Sequence, residues 1–169
     1  MLEKAQKEQQ FLQAYDKYSD AIFRYCYYRV FDSEKAKDVV QEAYCRTWKY
    51  IADGNQIENI RAFLYRTATN IIIDESRKKK SISLNQIMEK GFTPSTDPRN
   101  KIEDQLTGKE LIGVVKLLDE KYRDVILLKY IEDLSTGEIA SILNTSENNV
   151  YVMMSRALEK VKSIIRLNA

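Results

Sequence analysis

Both prolines of this chain, Pro94 and Pro98, fall inside one ten-residue stretch, "GFTPSTDPRN" (Gly91 to Asn100), and only five glycines occur in 169 residues. Proline lacks the backbone N–H and clashes with the preceding turn, so it is the strongest local barrier to a long helix. Its confinement to one stretch leaves the residues on either side able to form uninterrupted helices. Those residues carry apolar side chains three and four apart, the period of a helix that buries one face. The first half shows three such sets: Leu12, Tyr15, Ile22, Cys26 and Val30; then Val39, Val40, Ala43, Thr47 and Ile51; then Ile60, Phe63, Leu64, Ala68 and Ile71. The expected fold class is therefore all-α.

Boundary residues divide the pattern. Asp32-Ser33 offers an N-cap for the second helix, and Asp53-Gly54-Asn55 is a turn that stops it before the third. The third helix runs into "RKKK" (Arg77 to Lys80), after which Ser, Asn, Gly, Thr and Pro accumulate with little periodicity, the composition of a flexible linker. Thr107 and Glu110 fit a capping box ahead of Leu111, Val114, Val115 and Leu118, and a further helix carries Tyr122, Val125, Ile126, Leu128 and Ile131. Two small helical domains are expected, residues 1–80 and 101–169, joined by a linker over 81–100.

The segment "TGEIASILNTSENNVYVMM" has the rhythm of two short helices across a tight turn. Ser135 and Glu138 form another capping box, Ile139, Ala140 and Leu143 face inward, and Asn144 occupies the turn position where a left-handed backbone calls for Gly or Asn. The next helix is entered through Thr145-Ser146 and buries Val150, Met154, Ala157, Val161 and Ile164. Its opposite face offers Asn148, Asn149, Tyr151, Ser155 and Arg156, side chains able to bond base edges or phosphates. Glu147 suits the helix dipole but repels phosphate.

Net charge is +2, from 27 basic and 25 acidic residues, and the basic excess lies in residues 1–80 rather than in the half with the helix-turn-helix. There is no histidine, so neither a Cys/His zinc site nor a Cys-His catalytic pair can be built around Cys26 and Cys45, and both are expected to be plain thiols. With no Gly-rich phosphate loop and no nucleophile-base pair, the expectation is a non-enzyme without cofactor or metal. The charged N-terminus "MLEKAQKEQQ" lacks an apolar signal core and no apolar run could span a bilayer, so a cytoplasmic protein with no membrane insertion is expected.

The third helix, "NIRAFLYRTATNIIIDESRKKK", interleaves Arg61, Arg66, Arg77 and Lys78 with Phe63, Tyr65 and Asn70. Rings beside cations suit single-stranded DNA, because unstacked bases stack on the rings while the cations follow phosphates. Together with "DSEKAKDVVQEAYCRTW" and "YRDVILLKYIEDLSTGEIASILNTSENNVYVMMSRALEKV", in this order, the stretch resembles regions 2 and 4 of the extracytoplasmic-function (ECF) group of bacterial sigma factors. The resemblance covers nearly the whole chain.

It implies a dissociable RNA polymerase subunit that directs promoter recognition and DNA melting. Asp38, Gln41 and Glu42 match the polar residues that dock on the coiled coil of the polymerase β′ subunit, with the β flap as a further contact of the core enzyme. Asn70 matches a position that helps read the minus-10 strand, and the turn Asp53 to Asn59 matches the loop that receives a flipped base. Arg61, Phe63, Tyr65, Arg66, Arg77 and Lys78 complete the implied minus-10 surface. Asn148, Asn149, Tyr151, Ser155 and Arg156 form the implied minus-35 surface. Family members commonly carry basic residues where this chain has Tyr151, Met153, Leu158 and Glu159, which implies weakened region 4 contacts. Promoter DNA, core polymerase and an anti-sigma factor or another recruiting partner are the implied partners. The same residues admit two other readings, a helix-turn-helix regulator acting without polymerase and a helical adaptor with no DNA role.

Overall fold

Asp32 caps its helix as its chemistry predicts: the carboxylate accepts the Lys35 N–H at 3.1 Å, and α2 runs Ser33–Ala52. In this computed structural model, which describes residues 1–83 and 108–167, it is preceded by α1 (Leu2–Val30) and followed by α3 (Ile60–Ser83). Phe31 ends α1 in the left-handed region at φ 52°, and Gly54 turns the chain after α2 at φ 98°. Asn59 starts α3 by accepting the Ala62 N–H at 3.0 Å. The second half comprises α4 (Gly108–Leu117), α5 (Glu120–Ile126), α6 (Thr136–Leu143) and α7 (Glu147–Leu167). No strand occurs among the described residues, and no described helix is long and apolar enough to cross a membrane.

Most of the expected apolar faces are buried. In α1 the expected stripe holds only in part: Ile22 and Cys26 are buried and Val30 is half-buried, but Leu12 and Tyr15 are exposed, and Ala14, Tyr25 and Arg29 are buried with the stripe. The helix is rotated so that one arginine falls within its buried face. The expected linker differs at its start, because α3 continues through Ser83; its remainder, with the candidate cap Thr107, lies outside the described residues.

Within the helix-turn-helix, Ser135 Oγ accepts the Glu138 N–H at 3.1 Å and Asn144 adopts φ 52°, ψ 54°. The reciprocal arm of the capping box is not made, since Glu138 Oε2 is buried without a hydrogen-bond partner. Ser146 Oγ accepts the Asn149 N–H at 3.1 Å, opening α7. Val150, Ala157 and Val161 are buried, as their spacing predicts.

The two halves do not stand apart. α6 packs on α3, and α1 meets α4, α5 and the turn that follows α5, so a single apolar cluster runs from Ile22 and Leu64 to Leu128, Ile139 and Val161. That turn, Leu127–Ile131, is π-helical and closes with the Glu132 N–H on Leu127 O at 3.0 Å. Eight residues at the α-helical period would leave Glu132 about 80° out of line with Asp124. The wider i→i+5 turn takes up the extra residue, and both carboxylates reach side chains of α1.

Candidate nucleic-acid interface

The outer face of α2 presents Asp38, Gln41 and Glu42, all exposed. Glu42 Oε1 accepts from Arg46 Nε at 2.7 Å, a surface pair that orients the carboxylate without adding much stability. Gln41 borders an apolar hollow of about 550 Å³ walled by Phe11, Phe23, Val40, Tyr44 and Trp48. Asp38 and Glu42 border a separate cleft of about 570 Å³ that also holds Arg46, Asp74, Arg77 and Lys78. The acidic residues of α2 and the basic end of α3 thus line one cleft.

Along α3 the residues grouped by sequence part into two faces. Phe63, Arg66, Asn70 and Arg77 recur at three, four and seven positions and form one stripe, on which Arg66, Asn70 and Arg77 are exposed and Phe63 is half-buried. Phe63 lies against Tyr50 with ring centroids 5.0 Å apart. This aromatic pair stands beside the Asp53 to Asn59 turn, which is held by the Asn55 amide donating to Tyr50 O at 3.1 Å. Flat rings, an exposed amide and two guanidinium groups on one open stripe are the features that bind an unstacked strand.

Arg61 and Tyr65 lie on the other side. The expectation that Tyr65 offers a stacking ring is corrected here: it is fully buried, edge-on to Tyr25 at 5.5 Å, and its hydroxyl donates to Glu132 Oε2 at 2.7 Å. A ring enclosed on all sides has no face for a base. Arg61 is half-buried and donates through Nη2 to Glu132 O at 2.6 Å. Both residues serve the contact between the two halves.

That contact has two polar centres that sequence reasoning missed. Arg24 grips Glu132 with two prongs, Nε to Oε1 at 3.0 Å and Nη2 to Oε2 at 2.7 Å, and this hydrogen bonding holds the Arg24 guanidinium more firmly protonated than usual. Arg29 and Tyr25 both bond Asp124, while burial pushes the Tyr25 hydroxyl well up, keeping it a donor. Arg123 ties the halves further, donating to Val115 O, Lys116 O and Leu118 O and to Arg29 O of α1 at 2.9 Å. A signal existed: Arg29 sits at the spacing of Ile22 and Cys26, and Asp124 interrupts the apolar run from Tyr122 to Leu128. A charge inside a buried stripe predicts a buried partner.

On α7 the outward residues Asn148, Asn149, Tyr151, Ser155 and Arg156 are all exposed. The Asn149 amide donates to Thr145 Oγ1 at 2.7 Å, and the Tyr151 hydroxyl lies 3.4 Å from that of Thr136. Arg156 is the one cation among the five. Among the described residues no cluster of His, Cys, Asp and Glu could hold a metal ion.

Comparison with known proteins matches this arrangement. The model described as "Sigma-70 region 2" matches residues 14–82 and that described as "Sigma-70, region 4" matches residues 109–161. The ECF RNA polymerase sigma factor SigW of Bacillus subtilis (strain 168) is 32% identical over 169 residues, covering 89% of this chain and 86% of SigW. The ECF RNA polymerase sigma factor SigM of the same organism is 25% identical over 153 residues, covering 89% of this chain and 91% of SigM. Among solved structures, the fold is similar to the sigma factor RpoE of Bartonella quintana in complex with the anti-sigma factor NepR, with a TM-score of 0.74 and 17% identity over 95% of this chain and 99% of that one. It is also similar to CnrH in complex with the cytosolic domain of CnrY, with a TM-score of 0.70 and 20% identity over 99% and 97%. A helical region 2 and a helix-turn-helix region 4 follow one another on a chain that aligns with SigW over most of both lengths: the chain belongs to the ECF group of RNA polymerase sigma factors.

Proposed function

We propose that this sigma factor, which directs RNA polymerase to promoters, draws most of its DNA affinity from the open stripe of α3 and little from α7. The observation that carries the reading is the placement of Arg66, Asn70 and Arg77 on one exposed face beside the Tyr50–Phe63 pair, against a single cation, Arg156, among Asn148, Asn149, Tyr151, Ser155 and Arg156 of α7. Residues 1–80 form the polymerase and minus-10 unit, and residues 101–169 form the helix-turn-helix unit. Asp38, Gln41 and Glu42 dock on the polymerase β′ coiled coil. Phe63, Arg66, Asn70, Arg77 and Lys78 hold the opened strand, which favours the melted duplex by binding bases only after they leave the stack.

Asn148, Asn149, Tyr151, Ser155 and Arg156 contact the minus-35 duplex weakly, because each missing phosphate contact lowers affinity and flattens its salt dependence. Core polymerase supplies the remaining hold on the promoter, and an anti-sigma factor, the class of partner bound to RpoE in its solved complex, sequesters this chain in the cytoplasm.

Size-exclusion co-elution with bacterial core polymerase tests the docking surface. Wild type co-elutes, Gln41→Ala with Glu42→Ala loses co-elution while remaining folded, and Asn70→Ala co-elutes but forms fewer open complexes on a promoter duplex. Arg156→Ala leaves open-complex formation nearly unchanged. Failure of the wild type to bind core polymerase would refute the reading, and unchanged behaviour of both region 2 variants would refute the residue roles.

A further inference from the structure

Three side chains of the first half converge on one residue of the second. Glu132 Oε1 receives Arg24 Nε, Oε2 receives both Arg24 Nη2 and the Tyr65 hydroxyl, and the backbone oxygen of Glu132 receives Arg61 Nη2. The glutamate side chain is 1% exposed, whereas that of Arg24 is 47% exposed, so the acid is inserted into a basic site that itself opens to solvent. The Arg61 guanidinium also lies over the Tyr65 ring, 5.9 Å from its centroid.

The acceptor pattern defines what else this site would take. A two-oxygen anion gripped by one planar guanidinium fork, with a second guanidinium and a phenol alongside, is equally the pattern of a phosphodiester with its two non-bridging oxygens. Arg61 and Tyr65 belong to α3, the helix whose outer stripe is read above as the strand-binding surface. We propose that Arg24, Arg61 and Tyr65 form a binding site for a DNA phosphodiester, and that Glu132 fills it as an internal substitute while the two halves are packed together.

The site adds Arg24, on α1, to the DNA-contacting residues. It also makes the packing of the halves competitive with strand binding, because a phosphate and Glu132 cannot occupy the same donors. The π-helical turn supplies the geometry, since it brings Glu132 around to α1. The inference rests on the reading of α3 as the strand-binding helix, and its test needs no polymerase.

The full chain is titrated with a fluorescein-labelled single-stranded thymidine oligonucleotide, read by anisotropy over a range of salt. Glu132→Gln keeps the shape of the side chain and removes its charge. It is expected to bind about tenfold more tightly than wild type, with a salt slope steeper by about 0.7 for each additional phosphate the site holds. Adding Arg24→Ala to Glu132→Gln abolishes that increase. Glu8→Gln, the same charge change at an exposed position of α1, gives no comparable increase. Equal affinity of folded Glu132→Gln and wild type, or a tightening that survives Arg24→Ala, would overturn the proposal.

Should Glu132→Gln fail to fold, hydrogen exchange on the wild type decides the matter. Oligonucleotide binding must expel Glu132 and so accelerate exchange of the amides of residues 127–134, whereas binding with unchanged protection there overturns the site. Wild type that co-elutes with core polymerase while Glu132→Gln binds no more tightly removes this inference alone. The reverse result keeps the phosphate site and removes the polymerase role.

Discussion

Arg29 of α1 and Asp124 of α5 form an ion pair, Nε to Oδ1 at 2.5 Å, with side chains 3% and 5% exposed. The Tyr25 hydroxyl bonds the same carboxylate oxygen at 3.0 Å and lies 2.8 Å from Thr69 Oγ1, and the Arg29 guanidinium also reaches Glu120 at 3.7 Å. Two desolvated charges are compensated only by one another and by this small network. The pair therefore specifies how the two halves meet more than it stabilises the chain, because the cost of removing both ions from water offsets most of their attraction.

Asp124→Ala should destabilise the chain by roughly 3–5 kcal/mol, because it leaves Arg29 buried without its counter-charge. The double variant Arg29→Met with Asp124→Leu should recover most of that loss. Urea denaturation followed by circular dichroism measures both. A double variant as unstable as Asp124→Ala would show that the pair itself, rather than the uncompensated charge, governs stability.

The two cysteines should differ sharply in reactivity. Cys45 is exposed on α2, whereas Cys26 is buried and burial, aided by the charge of Glu132, pushes its thiol from 9.0 to about 12. Iodoacetamide at pH 8 should modify Cys45 and spare Cys26 until the protein unfolds, as intact-mass spectrometry would record. The folded state retains the Cys26 proton that the unfolded chain has lost above pH 9.0. Stability should therefore fall as pH rises from that value toward about 12, and fall less in Cys26→Ala.

Phe63 and Tyr65, adjacent in the pattern of α3, should fail in different ways. Tyr65→Ala removes a fully buried ring and its bond to Glu132, and should cost roughly 3–5 kcal/mol of stability. Phe63→Ala should cost much less, because the ring is only half-buried against Tyr50, while weakening binding of single-stranded DNA. Paired thermal melts and oligonucleotide titrations separate the two. Equal loss of stability in both would remove the distinction drawn between the faces of α3.

At the turn of the helix-turn-helix, Asn144→Gly should leave stability nearly unchanged and Asn144→Val should cost roughly 1–2 kcal/mol, since a β-branched residue is strained in the left-handed backbone held there. Chemical denaturation of the two variants provides the comparison.

Local chemistry made much of this protein legible before its structure. Asp32, Gly54, Ser135 and Asn144 mark helix ends and turns because capping and left-handed backbone depend on a few neighbouring residues, and each acts where expected. The stripe Val150, Ala157 and Val161 is buried because a helix presents those spacings on one face whatever surrounds it. Leu12 and Tyr15 misled for a related reason: periodicity reveals that a helix has an apolar face, but the neighbouring helix selects which part of that face is covered.

Residues far apart along the chain are another matter. No local rule joins position 24 to 132 or 29 to 124, and the alignment of Asp124 with Glu132 depends on a π-helical turn that no spacing in the sequence announces. Nor does the order of residues in α3 reveal that Tyr65 and Arg61 turn inward to Glu132 while Arg66 and Asn70 stay open. Helix content, caps and family were thus written in neighbouring residues. The pairing of charges across the two halves arose only when helix crossing, burial and desolvation acted together, since a buried charge is tolerated only where the fold delivers its partner.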